Sequence, residues 1–178
     1  GCNLSNFRIP SSITSIGKYA FAYNKASFTS IEIPSSVQYI GEYAFKGTYY
    51  LKSVVLSSNI TQIKEGVFYD CAITNITIPA SVKSIGKKAF CVADLAEIDI
   101  PSNVVCIGDS AFGFCALTRV SISDSIAFIG NGAFCFNEFT SIDIPSSVTN
   151  ISPSAFRSCD ELVSISVAAE NPNYSSYG

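Results

Sequence analysis

The chain has 178 residues, of which 48% are hydrophobic and 14% charged, with a formal net charge of −3 and no histidine. That balance excludes a disordered chain, and with basic residues scattered along the sequence it argues against nucleic acid as a partner. No run of about 18 apolar residues exists, so no membrane span is expected.

Residues 1–8 read as the end of a repeat whose beginning is missing. The chain is therefore expected to be a fragment of a longer one, and a missing export signal carries no weight. An Ala-Phe signature (once Val-Phe) then closes successive units at Phe21, Phe45, Phe68, Phe90, Phe112, Phe134 and Phe156. The apolar residues Ile9, Ile33, Leu56, Ile78, Ile100, Ile122, Ile144 and Val167 climb in the same steps of 22–24 residues. A fixed period of this length with Leu-x-x-Ile-x-Ile phasing marks a leucine-rich solenoid. The expected fold is an α/β repeat solenoid of about seven repeats. It is a right-handed coil with a parallel β-sheet on its concave face and short helical, 3₁₀ or loop segments on its convex face. All of 1–178 forms one domain.

The first two units carry Tyr19, Tyr23, Tyr39, Tyr43, Tyr49 and Tyr50, with extra residues at 25–28 and 48–50 that lengthen the outer loops. The tyrosines either form a contact patch or cover those loops. The stretch Leu95–Ala116 shows one tight unit in full. Ile98 and Ile100 alternate with Asp99, which is strand spacing, and Pro101 ends regular pairing. Asn103 lies in a column of Ser12, Ser36, Asn59, Ser81, Ser125 and Ser147, whose side chains can satisfy backbone groups of adjacent turns. Gly108, in a column with Gly17, Gly41, Gly86 and Gly130, is expected at positive φ; Lys64 and Ser152 depart from it. A short helical or 3₁₀ segment over 109–114 is expected to return the chain on the outer side. Residues 168–178 leave the pattern and read as a turn and an irregular end.

Cys71, Cys115 and Cys159 share the column three residues after the phenylalanine, with Asn24 and Asn137. Two rungs separate them, about 9–10 Å at strand spacing, beyond the ~7 Å reach of a disulfide. Cys71/Cys91 and Cys115/Cys135 share an identical 20-residue spacing, so either two inter-rung disulfides form or these are free, buried thiols. Without histidine, Cys-His and Ser-His-Asp arrangements cannot be built. No Cys-x₂-Cys pair or calcium loop is present. No enzyme activity, cofactor or metal is expected. Asn-x-Ser/Thr occurs at Asn3, Asn59, Asn75, Asn150 and Asn173 and matters only in a eukaryotic secretory pathway.

The phrases IPSSVQYIGEYAF (Ile33–Phe45), IPASVKSIGKKAF (Ile78–Phe90) and IPSSVTNISPSAF (Ile144–Phe156), with the NPNYSS ending (Asn171–Ser176), resemble the BspA-type leucine-rich repeat. The resemblance covers essentially the whole chain. It implies a non-catalytic surface or secreted protein that adheres to host matrix proteins or other cells, which is an analogy from a shared scaffold.

Outward-pointing strand residues line the expected concave face. One column reads Arg8, Glu32, Val55, Thr77, Asp99, Ser121, Asp143, Ser166, and its neighbour Asn6, Ser30, Ser53, Asn75, Glu97, Arg119, Ser141, Ser164. The candidate binding residues are Glu32, Asn75, Thr77, Glu97, Asp99, Arg119, Ser121, Ser141 and Asp143, facing a protein or glycan on a monomer. A plain solvated surface is the competing reading. At the level of function the alternatives are a structural spacer that projects other domains and an intracellular signalling scaffold.

Overall fold

A computed structural model describes residues 7–24 and 28–176. Residues 1–6, with Asn3 and Asn6, and the insertion at 25–27 lie outside the described residues. Among the described residues, fourteen short strands alternate between two sides of a coil. One side holds β2 (Ser30–Glu32), β4 (Ser53–Val55), β6 (Asn75–Thr77), β8 (Glu97–Asp99), β10 (Arg119–Ser121), β12 (Ser141–Ile144) and β14 (Ser164–Val167). The adjoining side holds β1 (Ser15–Ile16), β3 (Tyr39–Ile40), β5 (Gln62–Ile63), β7 (Ser84–Ile85), β9 (Cys106–Ile107), β11 (Phe128–Ile129) and β13 (Asn150–Ile151). All pairings are parallel and in repeat register, such as Glu97↔Arg119, Ile85↔Ile107 and Ser141↔Ser164. Each turn of about 22 residues is one rung of a parallel β-solenoid.

The core follows the apolar columns. Ile33, Ile78, Ile100 and Ile144 are buried on the strand side, Val37, Ile60, Val82, Val104, Ile126 and Val148 at the corner, and Ile63, Ile85, Ile107 and Ile129 on the adjoining side. The phenylalanines form a continuous ladder from Phe21 to Phe156. Neighbouring rings lie 5.1, 5.6, 5.4, 5.2, 5.6 and 5.9 Å apart and within 17° of parallel. Stacked rungs thus cover each other's apolar edges, which a single rung cannot do for itself.

The return segment differs from expectation. Among the described residues the outer side has no helix, so the α/β assignment does not hold. The backbone explains why. The residues two before and two after the phenylalanine are left-handed in rung after rung: Tyr19 and Tyr23, Lys88 and Val92, Ser110 and Phe114. Two such residues four apart interrupt any i→i−4 ladder. Alternate amides instead donate to the next rung, as in Lys88 N to Asp109 O, Phe90 N to Ala111 O and Val92 N to Gly113 O. The residues between them close i→i−3 turns, such as Ala89 N to Gly86 O and Cys91 N to Lys88 O. The outer wall is therefore a hydrogen-bonded ladder of its own.

The glycine column is also corrected. The positive-φ glycines are Gly47, Gly66 and Gly132, which lie in the two left-handed columns, whereas Gly41, Gly86, Gly108 and Gly130 have no positive φ. Gly108 is required for a close approach instead: a Cβ there would lie 2.7 Å from Lys87 N and 2.8 Å from Gly86 C.

Four members of the polar column satisfy the backbone of the preceding rung, whereas the Ser36 hydroxyl is buried without a hydrogen-bond partner among the described residues. Asn59 and Asn103 donate to Ser35 O and Ala80 O, and Ser81 and Ser147 to Ile60 O and Ile126 O, at 2.6–2.8 Å. Asn171 extends this column into the irregular end. Its side chain donates to Pro145 O and Val148 O and accepts from the amides of Asn173 and Tyr174. Cys71, Cys91, Cys115, Cys135, Cys106 and Cys159 are free thiols. Cys71, Cys115 and Cys159 donate to Phe45 O, Phe90 O and Phe134 O at 2.9, 3.1 and 3.1 Å. Asn137 does the same for Phe112 O at 2.8 Å, so cysteine stands in this column as a small donor.

Candidate functional site

The face of β2 to β14 is built by strict alternation: Ile98 of β8 and Ile142 of β12 point into the core, and their neighbours point out. Glu32, Asn75, Thr77, Glu97, Asp99, Arg119, Ser121, Ser141 and Asp143 are all exposed on it. Exposed Val55 adds the one apolar side chain among them.

The structure brings three of these residues into one cluster. Register sets Arg119 opposite Glu97 and Ser121 opposite Asp99. The Arg119 guanidinium donates to Asp99 Oδ1 at 2.9 Å and to Glu97 Oε2 at 3.1 Å. Hydrogen bonds to Asp99 first and Glu97 second push the guanidinium pKa further up. The cluster keeps one net negative charge. Asp143 lies one strand further on and Glu32 three strands before Glu97; neither belongs to the ion-pair cluster. All the side chains in the cluster are solvated, so the pairing orients Arg119 more than it stabilises the fold.

The sheet of this face is not continuous. β2, β4 and β6 pair as one group, β8 with β10 as a second and β12 with β14 as a third. The two unpaired seams are where the face is hollowed. A slot of about 330 Å³ lies along the β6/β8 seam, lined by Asn75, Thr77, Glu97, Asp99 and Arg119 among others. A second, of about 320 Å³, lies along the β10/β12 seam, lined by Arg119, Ser121, Ser141 and Asp143 among others. Arg119 forms the divide between them. Each slot has amide, hydroxyl, carboxylate and guanidinium groups, which can hydrogen-bond a polar ligand. Sequence columns identify these side chains, but nothing in them marks the seams, because strand spacing is identical across paired and unpaired rungs.

The thiols offer no reactive centre. Burial, as the leading cause, raises the pKa of Cys71 to about 11 and of Cys115 to about 12, so both stay protonated at neutral pH. Among the described residues no group of three or more His, Cys, Asp or Glu side chains is placed to hold a metal. No described helix is long and apolar enough to cross a membrane.

A coil of parallel rungs with a laddered phenylalanine core and a polar strand face defines a repeat solenoid. The model of the BspA-type leucine-rich repeat region matches in overlapping segments, 1–93, 21–138 and 83–177, and the chain belongs to that family. A leucine-rich repeat protein from Bacteroides ovatus superposes with a TM-score of 0.83 at 34% identity, over 91% of this chain and 42% of its own. One from Eubacterium ventriosum gives 0.55 at 25% identity, over 84% and 34%. The T. pallidum leucine-rich repeat protein gives 0.53 at 26%, over 70% and 72%. The chain thus spans well under half the length of the first two. No curated protein matches it.

Proposed function

We propose that this solenoid is a non-catalytic binding module of a surface-exposed or secreted protein, mediating adhesion to a host or cell-surface protein or glycan through the β2–β14 face. The observation that carries the reading is the pair of polar slots on either side of the carboxylate-held Arg119. A solvated face with no such role needs neither hollows nor an oriented guanidinium between them. Short side chains around the slots leave the strand backbone open to an approaching ligand, and extended strand faces are what repeat solenoids use to bind.

The test is a panel of immobilised extracellular-matrix proteins and a glycan array, probed with the wild type and with a Glu97→Lys, Asp99→Lys, Asp143→Lys variant. These positions are exposed, so the variant keeps its circular-dichroism spectrum and its unfolding midpoint. A wild-type partner lost by the variant supports the reading. Partners retained at full affinity refute it and leave the coil as a spacer for other domains.

A further inference from the structure

The basic residues, scattered when read along the chain, are gathered when read along the coil. Residues 1–93 hold all eight lysines and Arg8 against four carboxylates, a net of +5. Residues 94–178 hold Arg119 and Arg157 against ten carboxylates, a net of −8. The two ends of the solenoid thus carry opposite fields, and the positive one has a definite face.

On the outer wall, Lys46 Nζ lies 5.2, 5.6 and 5.1 Å from the ring centres of Tyr23, Tyr43 and Tyr69. Lys88 Nζ lies 5.9 Å from the same Tyr69 ring, and on the adjoining strand side Lys64 Nζ lies 4.6 Å from Tyr39 of β3. Sharing one ring puts the ammonium groups of Lys46 and Lys88 no more than about 11 Å apart. The nearby carboxylates are engaged elsewhere: Glu42 by Lys18, Glu65 by the Tyr43 hydroxyl and Asp70 by the Tyr49 hydroxyl. Among the described residues, no carboxylate pairs with Lys46, Lys64 or Lys88. All three are half-buried, with their ammonium groups near tyrosine rings. The result is a pair of neighbouring positive charges, Lys46 and Lys88, set among tyrosine rings on the outer wall, with Lys64 on the adjoining side.

We propose that this outer face of the Phe45, Phe68 and Phe90 rungs binds an anionic polysaccharide, a chain bearing sulfate or uronate groups. Fixed ammonium groups meet the anionic substituents, and the tyrosine hydroxyls and ring edges meet the sugar. Ammonium groups held beside tyrosine rings on successive rungs suit an extended anionic chain lying along the wall. The proposal is independent of the strand-face reading, since the two surfaces share no residue.

Heparin is the probe, with neutral dextran and phosphatidylcholine–phosphatidylserine vesicles as comparisons. A Lys46→Gln, Lys64→Gln, Lys88→Gln variant is set against Lys52→Gln, Lys83→Gln, which lowers the charge of the same half elsewhere. Surface plasmon resonance should show heparin binding that weakens with salt. The patch variant should bind about tenfold or more weakly, and its slope of log K against log [NaCl] should be shallower by about 2–3. The control variant should change little, and a Lys→Arg triple at 46, 64 and 88 should retain binding. No heparin binding at about 50 mM NaCl, equal loss in patch and control variants, or vesicle binding as tight as heparin binding would each overturn the proposal.

Discussion

Replacing Asn137 by alanine tests whether a polar residue in the core of this coil is as structural as its phenylalanines. Asn137 is only 2% exposed. Its Nδ2 donates to Phe112 O and Phe134 O at 2.8 Å each, and its Oδ1 accepts from Leu117 N at 2.8 Å. Alanine removes these three bonds and a longer one of 3.4 Å to Cys135 O, which keeps the Phe114 amide as a donor. Phe134 O keeps the Cys159 thiol as a donor, but Leu117 N and Phe112 O are left buried without their side-chain partner. Three net bonds at about 1 kcal/mol each, with two orphaned groups adding to the cost, give a loss of about 3–4 kcal/mol. Asn137→Cys should cost less, about 1–2 kcal/mol, because a thiol in this column reaches the same kind of carbonyl, as Cys115 reaches Phe90 O. Urea unfolding followed by far-ultraviolet circular dichroism measures both, and hydrogen exchange at the Leu117 amide reports the local opening. The reasoning fails if the alanine variant stays within about 0.5 kcal/mol of wild type, or if cysteine is as damaging as alanine.

Four other outcomes are expected. Phe112→Ala should cost about 3–5 kcal/mol, since the ring is fully buried between Phe90 and Phe134; an unchanged midpoint would contradict the ladder as core. Gly108→Ala should destabilise by about 1–3 kcal/mol through its clash with the backbone of the rung below, whereas Gly17→Ala, where an added Cβ meets nothing within 4 Å, should be close to neutral. Val92→Asn should raise stability by about 1 kcal/mol, because a β-branched residue is held there at a φ of 61° that asparagine tolerates better. Cys71 and Cys115 have folded pKa values of about 11 and about 12, raised above the unfolded value. Their contribution to stability is therefore complete below about pH 9 and falls as pH rises towards 11–12, at up to about 1.4 kcal/mol per pH unit for each thiol. A Cys71→Ala, Cys115→Ala variant should flatten that alkaline decline in a pH series of urea midpoints.

The strand columns, the phenylalanine ladder and the Asn/Ser column were legible because each is a one-residue rule repeated at a fixed period. Ile98 between Glu97 and Asp99 could only face inward, and Asn103 could only reach a neighbouring turn. The outer wall was not legible in the same way. Tyr19, Lys88, Val92 and Phe114 are residues that ordinarily avoid left-handed backbone, so their propensities concealed its conformation. The one clue in the sequence is that Gly47, Gly66 and Gly132 fall in those same two columns, whereas the more regular glycines around Gly108 serve close approach instead. The strand-face columns are legible in the sequence, but the unpaired seams beside β8 and β12 are not, since the repeat spacing is the same across paired and unpaired rungs. The lysine–tyrosine face escaped because its members come from different columns of successive rungs, and Lys46 and Tyr69 become neighbours only once the coil is wound.

The outer ladder also gives the solenoid a direction. On that wall the amide of an earlier rung reaches the carbonyl of a later one, as Phe90 N does to Ala111 O. On the strand sides the parallel ladders run in both senses, as Ile33 N donates to Val55 O and Ser53 N to Thr29 O. Along the outer wall, therefore, one open edge of the coil offers acceptors and the other donors. A turn added in the wrong orientation would set donor against donor, so growth or pairing at either edge is confined to one polarity by the main chain alone.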